Sequence, residues 1–228
     1  MSTATNDANW SVIGHDWAVA TLAQHIRSGR VQHAYLFTGA KAIGKHTLAV
    51  AFAQAMLCTE ASSPCAEPNQ CRSCMLIASG KHPDVRMLAP VVTGKIIKRA
   101  KISIEPIREL IKHFSLRPME AERRVAIITS FDAAGRAASD VLLKTLEEPP
   151  GNSVIVLSTE SAASLPPTIV SRCTQIALRA LPISLVQQAL SARWGAAAEQ
   201  AELLARLSRG RLGWAVSLLS NESALETR

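Results

Sequence analysis

Three unbroken apolar runs mark this chain, at residues 34–38, 125–129 and 154–158. Each is hydrophobic on consecutive positions rather than on alternate ones. That pattern suits parallel strands covered on both faces. Weaker runs at 85–88 and 175–178 bring the set to five. Between them the apolar period becomes helical. Residues 16–27 carry Ala18, Leu22 and Ile26 on one face, and 103–115 open on a serine and stripe Ile104, Ile107, Ile111 and Phe114. Residues 47–57 are a further helical stretch. Residues 136–148 bury Leu142, Leu143 and Leu146 until Pro149-Pro150 stops the helix. Strands alternating with helices predict an α/β fold with a parallel five-stranded sheet.

The texture changes after Leu181-Pro182. No strand signal remains, and helical stretches at 184–193, 197–208 and 213–220 are punctuated by Gly195 and Gly210. The division predicted is an α/β domain over 1–179 and a small helical domain over 180–228. Residues 90–101 read as a basic loop with Lys95, Lys98, Arg99 and Lys101.

Composition sharpens the picture in two places. Aromatics make up only 4% of a chain rich in Ala and Leu, which favours helix, and the net charge of +7 favours polyanionic partners without choosing between nucleic acid and an acidic protein surface. No run of 18 apolar residues occurs, and residues 1–9 lack the basic and apolar regions of a signal peptide. A cytoplasmic, non-membrane protein is expected. In that reducing compartment, clustered cysteines point to metal before disulfide.

The first run leads into Gly39-Ala40-Lys41-Ala42-Ile43-Gly44-Lys45-His46. The pattern G-x-x-x-x-G-K-[ST] wraps backbone N–H groups around phosphate oxygens, brings a lysine to the terminal phosphates and holds magnesium with a hydroxyl. Gly39, Gly44 and Lys45 fit, after a strand and before a helix. His46 stands where the hydroxyl belongs, and magnesium prefers oxygen to imidazole. Thr47 is adjacent, but one residue turns a helix by about 100°. The strand at 125–128 ends in Thr129-Ser130-Phe131, with the first acid at Asp132. A hydrolytic enzyme of this type needs an acid at that strand end. Useful ATP binding at Gly39, Gly44, Lys45 and Thr47 is therefore doubtful, and hydrolysis more so.

Cys58, Cys65, Cys71 and Cys74 lie within seventeen residues, interleaved with Pro64, Pro68 and Asn69. Four thiolates at this spacing suit a closed, structural zinc site, in a segment too loop-rich to bury a core. The alternative is four unrelated free thiols. Cys173 stands apart and reads as a small buried hydrophobe.

Leu142 to Pro150, the triplet Ser171-Arg172-Cys173 and the cysteine insertion after the first loop helix together resemble the bacterial replicative clamp-loader family of AAA+ proteins. His33-Ala34-Tyr35-Leu36-Phe37, Gly80-Lys81-His82-Pro83-Asp84 and Ile104 to Leu110 are also similar to it. The resemblance covers nearly the whole chain and implies an AAA+ domain followed by a helical lid. Within the family an intact nucleotide site marks the gamma/tau motor. A degenerate one marks the delta-prime branch, which the losses at His46, Thr129 and Ser130 resemble. The resemblance implies a non-catalytic clamp-loader subunit of DNA polymerase III. Its partners would be gamma/tau and delta subunits, with the sliding clamp and primed DNA reached through the complex.

It also implies that Arg172 reaches in trans to ATP on the next subunit. The alternative is an arginine capping a helix C-terminus. Thr159 takes the sensor-1 position, and Gly213 stands where a motor carries its sensor-2 arginine. Lys144, Glu147 and Glu148 read as a solvated helix end used against a neighbouring subunit. Family members continue into a helical collar, and this chain stops at Arg228. The resemblance then implies either a truncated product or different ring contacts. Two other functions remain open: an active gamma/tau-like motor in which His46 and Asp132 substitute, and a DNA-binding zinc module using Lys95 to Arg99. Against the second, these basic residues do not interleave with aromatics that could stack bases.

Overall fold

The computed structural model describes residues 10–60, 64–65, 70–93 and 99–220. In chain order the first half forms α1 (Asp16–Arg27), β1 (Ala34–Thr38), α2 (Lys45–Leu57), α3 (Arg72–Ala78), β2 (Val85–Leu88), β3 (Val91–Thr93) and β4 (Arg99–Lys101). There follow α4 (Ile104–Phe114), β5 (Arg124–Ile128), α5 (Arg136–Glu147), β6 (Ser153–Thr159), α6 (Pro167–Val170) and β7 (Thr174–Ala177). The chain closes with α7 (Ile183–Trp194), α8 (Ala198–Ser208) and α9 (Leu212–Leu219).

Five strands make one parallel sheet in the order β2-β5-β6-β1-β7. The absence of alternation in the sequence has its cause here. Every position of β1, β5 and β6 is buried. Successive residues serve opposite faces. Tyr35, Phe37, Val125, Ile127, Val154 and Val156 join the core under α1 and α2. Leu36, Ala126, Ile128, Ile155 and Leu157 join the core under α4 and α5. The N-terminal segment is pinned to the first core by Trp10, which stacks on Phe52 at 6.0 Å, while Tyr35 meets the same ring edge-on at 4.9 Å. Aromatic pairs of this geometry add about 0.5–1.5 kcal/mol beyond area burial.

Helices α7, α8 and α9 surround a separate core of Leu181, Val186, Leu190, Ala201, Leu204 and Ala215. No helix among the described residues is long and apolar enough to cross a membrane.

Two expectations need correction. The stretch at 90–101 is not simply a loop. β3 and β4 form an antiparallel hairpin, with Val91 opposite Lys101. The β-branched run Val91-Val92-Thr93 favours that conformation. Lys95 and Lys98 lie outside the described residues. The cysteine segment is also not all loop, since α3 occupies its last part. Cys71 caps that helix by accepting from the Cys74 N–H, and Ser73 Oγ ties it to the Leu57 carbonyl at 2.8 Å. A smaller difference is at Ser103, which flanks α4 but makes no side-chain capping bond.

The His82-Pro83-Asp84 motif proves to be a buried brace. Asp84 is fully buried and accepts the N–H groups of Met119, Glu120 and Ala121 at 2.8–3.0 Å. Burial alone would raise its pKa. The three amide donors and nearby Arg124 outweigh that and hold the carboxyl below its usual range.

Candidate functional site

The loop after β1 turns where glycine alone fits. Gly39 has φ +144°, and a Cβ there would lie 2.6 Å from the Leu178 carbonyl oxygen. Gly44, at φ +115°, precedes the first turn of α2, so the helix N-terminus faces the loop. The expected site residues Gly44, Lys45 and Thr47 line one cleft of about 610 Å³, with Lys41, His46, Thr129, Ser130, Asp132, Glu160 and Gly213 around it. Lys45 Nζ donates to the carbonyls of Gly39 and Ala40, the second at 2.9 Å. Desolvation lowers the Lys45 pKa, against the opposing pull of Glu160 and Asp132. Desolvation also lowers the His46 pKa, so a neutral ring borders the cleft.

At the end of β5, Thr129 turns its hydroxyl to the Leu88 carbonyl at 3.2 Å. Ser130 takes a left-handed conformation at φ 49° and donates its N–H to Ser158 Oγ. The 3-10 turn Phe131–Ala133 then carries Asp132 forward, where its carboxylate accepts from Thr159 Oγ1 at 3.0 Å. Sequence reasoning registered Asp132 only as the first acid after the strand. That it reaches Thr159 depends on the extra turn, which no hydrophobic period reports. The lid closes the far side. The Gly213 N–H donates to the Ala42 carbonyl at 3.0 Å, and a Cβ on Gly213 would lie 2.8 Å from that oxygen.

The four cysteines converge outside this cleft, and none of them lines it. Their Sγ atoms all lie within 4.8 Å of one another, with Cys58 at 3.5 Å from Cys65 and 3.9 Å from Cys71. Bonds of about 2.3 Å in a tetrahedron put sulfurs about 3.8 Å apart. The donor set and spacing therefore fit a four-coordinate ion. Backbone N–H groups of Cys71 and Cys74 each point at a sulfur at 3.3 Å. Burial pushes the Cys71 thiol up, but N–H donors from Cys74 and Thr59 and the neighbouring thiols bring it down to about 6. A thiolate is the form that binds metal, whereas burial and the neighbouring thiols push the Cys58 thiol up to about 11 and also raise the Cys74 thiol. Cys173 lies apart and is partly buried against the second core, where desolvation raises its pKa to about 12.

Arg172 does not line the Lys45 cleft. It follows α6, with Nη1 donating to the Thr168 carbonyl at 2.9 Å and Nη2 paired with Glu147 Oε1 at 2.9 Å. Both side chains are substantially exposed, at 36% and 44%. The two motifs that stood apart in sequence thus meet on one surface. Of the helix-end residues, Lys144 and Glu148 are exposed as expected, while Glu147 has this partner.

Residues 14–182 match the family described as DNA polymerase III, delta subunit. The chain belongs to that family. The DNA polymerase III subunit delta' of Bacillus subtilis is 34% identical over 208 residues, covering 91% of this chain and 60% of that protein. The subunit tau/gamma of Haemophilus influenzae is 32% identical over 182 residues, covering 79% of this chain and 25% of that protein. This DNA polymerase III delta family member therefore spans less than two thirds of the length of these relatives. A solved gamma subunit-related protein from Thermotoga maritima aligns with a TM-score of 0.57 at 22% identity, over 87% of this chain and 57% of its own. That likeness speaks to the fold. The α/β fold with its parallel five-stranded sheet is as the sequence led one to expect.

Proposed function

We propose that this chain is the delta-prime type of clamp-loader subunit in DNA polymerase III, a non-hydrolysing member that supplies Arg172 to ATP on a neighbouring subunit. The observation that carries the reading is the contrast between two places. The cleft at Lys45 has a neutral imidazole at His46 and a threonine at Thr129 where the metal-placing groups belong. Arg172 meanwhile stands partly exposed, outside that cleft, just past the end of α6. A guanidinium so held offers fixed charge and several N–H donors to the phosphoryl group in flight, without reorganising at the moment of reaction.

On this reading residues 1–179 form the AAA+ domain and 180–228 its lid. Cys58, Cys65, Cys71 and Cys74 hold one structural zinc. The immediate partners are gamma/tau and delta subunits, with the sliding clamp and primed DNA reached through them. A cytoplasmic site of action follows from that role.

In a reconstituted complex, Arg172→Ala should fold and assemble yet lower DNA-dependent ATP turnover on the order of 10³-fold, with ATP affinity changed far less. Wild-type turnover in a fully assembled mutant complex would make Arg172 structural.

One observation favours a second reading, an active gamma/tau-like motor. Asp132 lines the same cleft as Lys45, and buried Thr159 donates to its carboxylate. Titration with a fluorescent ATP analogue separates the two. Tight, magnesium-dependent binding by the isolated chain would support the motor.

A further inference from the structure

We infer that Glu147 is the positioning residue for Arg172, an inference that rests on the reading of Arg172 given above. Glu147 is the last residue of α5, and Glu148 follows it. A carboxylate at that end meets the negative end of the helix dipole, so the helix itself does not favour it there. Its partner is Arg172, at 2.9 Å, on a different element. An exposed ion pair of this kind adds little to folding stability. What it does fix is orientation.

The guanidinium is anchored twice. Nη1 is held by the Thr168 carbonyl of α6, and Nη2 by the carboxylate at the end of α5. With one anchor an arginine swings about its long stem. With two, on two elements of the same core, the plane of the group is defined relative to the sheet. A guanidinium has five N–H donors. Thr168, Glu147 and a long contact to Ser171 Oγ engage three of them. Two remain, one on Nε and one on Nη2, for phosphate oxygens. The carboxylate also keeps this group from settling on other acceptors while no nucleotide faces it. Glu147 touches no reacting atom, and its effect is carried through Arg172.

The test uses the full chain in a reconstituted clamp loader. Glu147→Ala should lower the DNA-dependent kcat by up to about 100-fold, the scale of a misplaced reacting group, while KM for ATP and assembly stay at wild-type values. Glu147→Gln, which keeps an acceptor without the charge, should recover part of the loss. The double variant with Arg172→Ala should be no slower than Arg172→Ala alone. If Arg172→Ala is slow and Glu147→Ala is not, the positioning role is wrong and the Arg172 reading stands. If Arg172→Ala itself turns over normally, the underlying reading fails. Faster turnover in Glu147→Ala would make the pair an inhibitory latch and overturn the inference, as would failure of that variant to assemble. On the isolated full chain, the Arg172 Nε–Hε resonance should be ordered in wild type and motionally averaged in Glu147→Ala. Equal order in both would also overturn it.

Discussion

Asp84 shows how a single residue can join distant parts of a chain. Its three amide donors come from residues 35, 36 and 37 positions further on. Arg124, almost fully buried, lies 3.7 Å away and donates onward to the carbonyls of His113 and Arg117. The carboxylate therefore fixes the loop between α4 and β5 against the edge of the sheet. Its folded pKa is depressed below the unfolded value of about 3.9. The sign follows directly: the stabilisation is complete above that unfolded value and is lost as pH falls through the folded one. Asp84→Asn keeps the size but turns an amide NH₂ toward N–H donors and leaves Arg124 uncompensated. It should cost about 3 kcal/mol at pH 7, and the gap to wild type should narrow below about pH 4. Urea unfolding at the two pH values measures this. An unchanged midpoint at pH 7, or a gap indifferent to pH, would contradict it. The motif was visible in the sequence as a family resemblance only. No local pattern could report donors so far along the chain.

At the scale of elements, what the sequence disclosed depended on length and on who shares a residue's side chain. β1, α1 and β2 lie where their apolar patterns place them, because burial on a sheet or helix face writes itself into consecutive residues. α3 was missed since it is a single short helix in which two of the three buried positions are Ser73, used as a brace, and Cys74, one of the four clustered thiols. The β3–β4 hairpin was missed since each strand has only three residues. The cysteines, by contrast, were legible from spacing alone, and they do converge. The zinc reading predicts one ion per chain, and Cys71→Ser or Cys74→Ser should release it by leaving an open, exchange-prone position. Cys71→Ser is the more telling variant. Serine is a good N-cap, so α3 keeps its capping bond while the site loses a thiolate. Metal analysis under reducing conditions should read about one zinc for wild type and near zero for the variants. No zinc in the wild-type protein would leave four free thiols.

The molecule as a whole comes together at the glycine loop. The loop follows β1, the lid touches it through Gly213 on the Ala42 carbonyl, and Arg193 of α7 reaches the Ser11 carbonyl of the N-terminal segment at 3.0 Å. In sequence, Gly213 registered only as standing where a motor subunit carries its sensor-2 arginine. The structure adds a steric reason for glycine, since any Cβ would press on the loop at 2.8 Å. Lid, loop and N-terminal segment are thus in direct contact. The reading then predicts no magnesium-dependent ATP turnover by the isolated chain. His46→Thr alone should not restore it. A hydroxyl returned to the loop still faces Thr129, whose own hydroxyl is occupied by Leu88 and which carries no carboxylate to hold the ion or orient water. Asp132 and Glu160 are the acids lining the cleft, but Asp132 lies on the turn after β5 and Glu160 follows β6, so neither stands at the end of β5 itself. A coupled assay on wild type, His46→Thr and Lys45→Ala decides the matter. All three should sit at background. Steady turnover by wild type that vanishes in Lys45→Ala would mean that Asp132 does place the metal, and the chain would then be a motor rather than a wall.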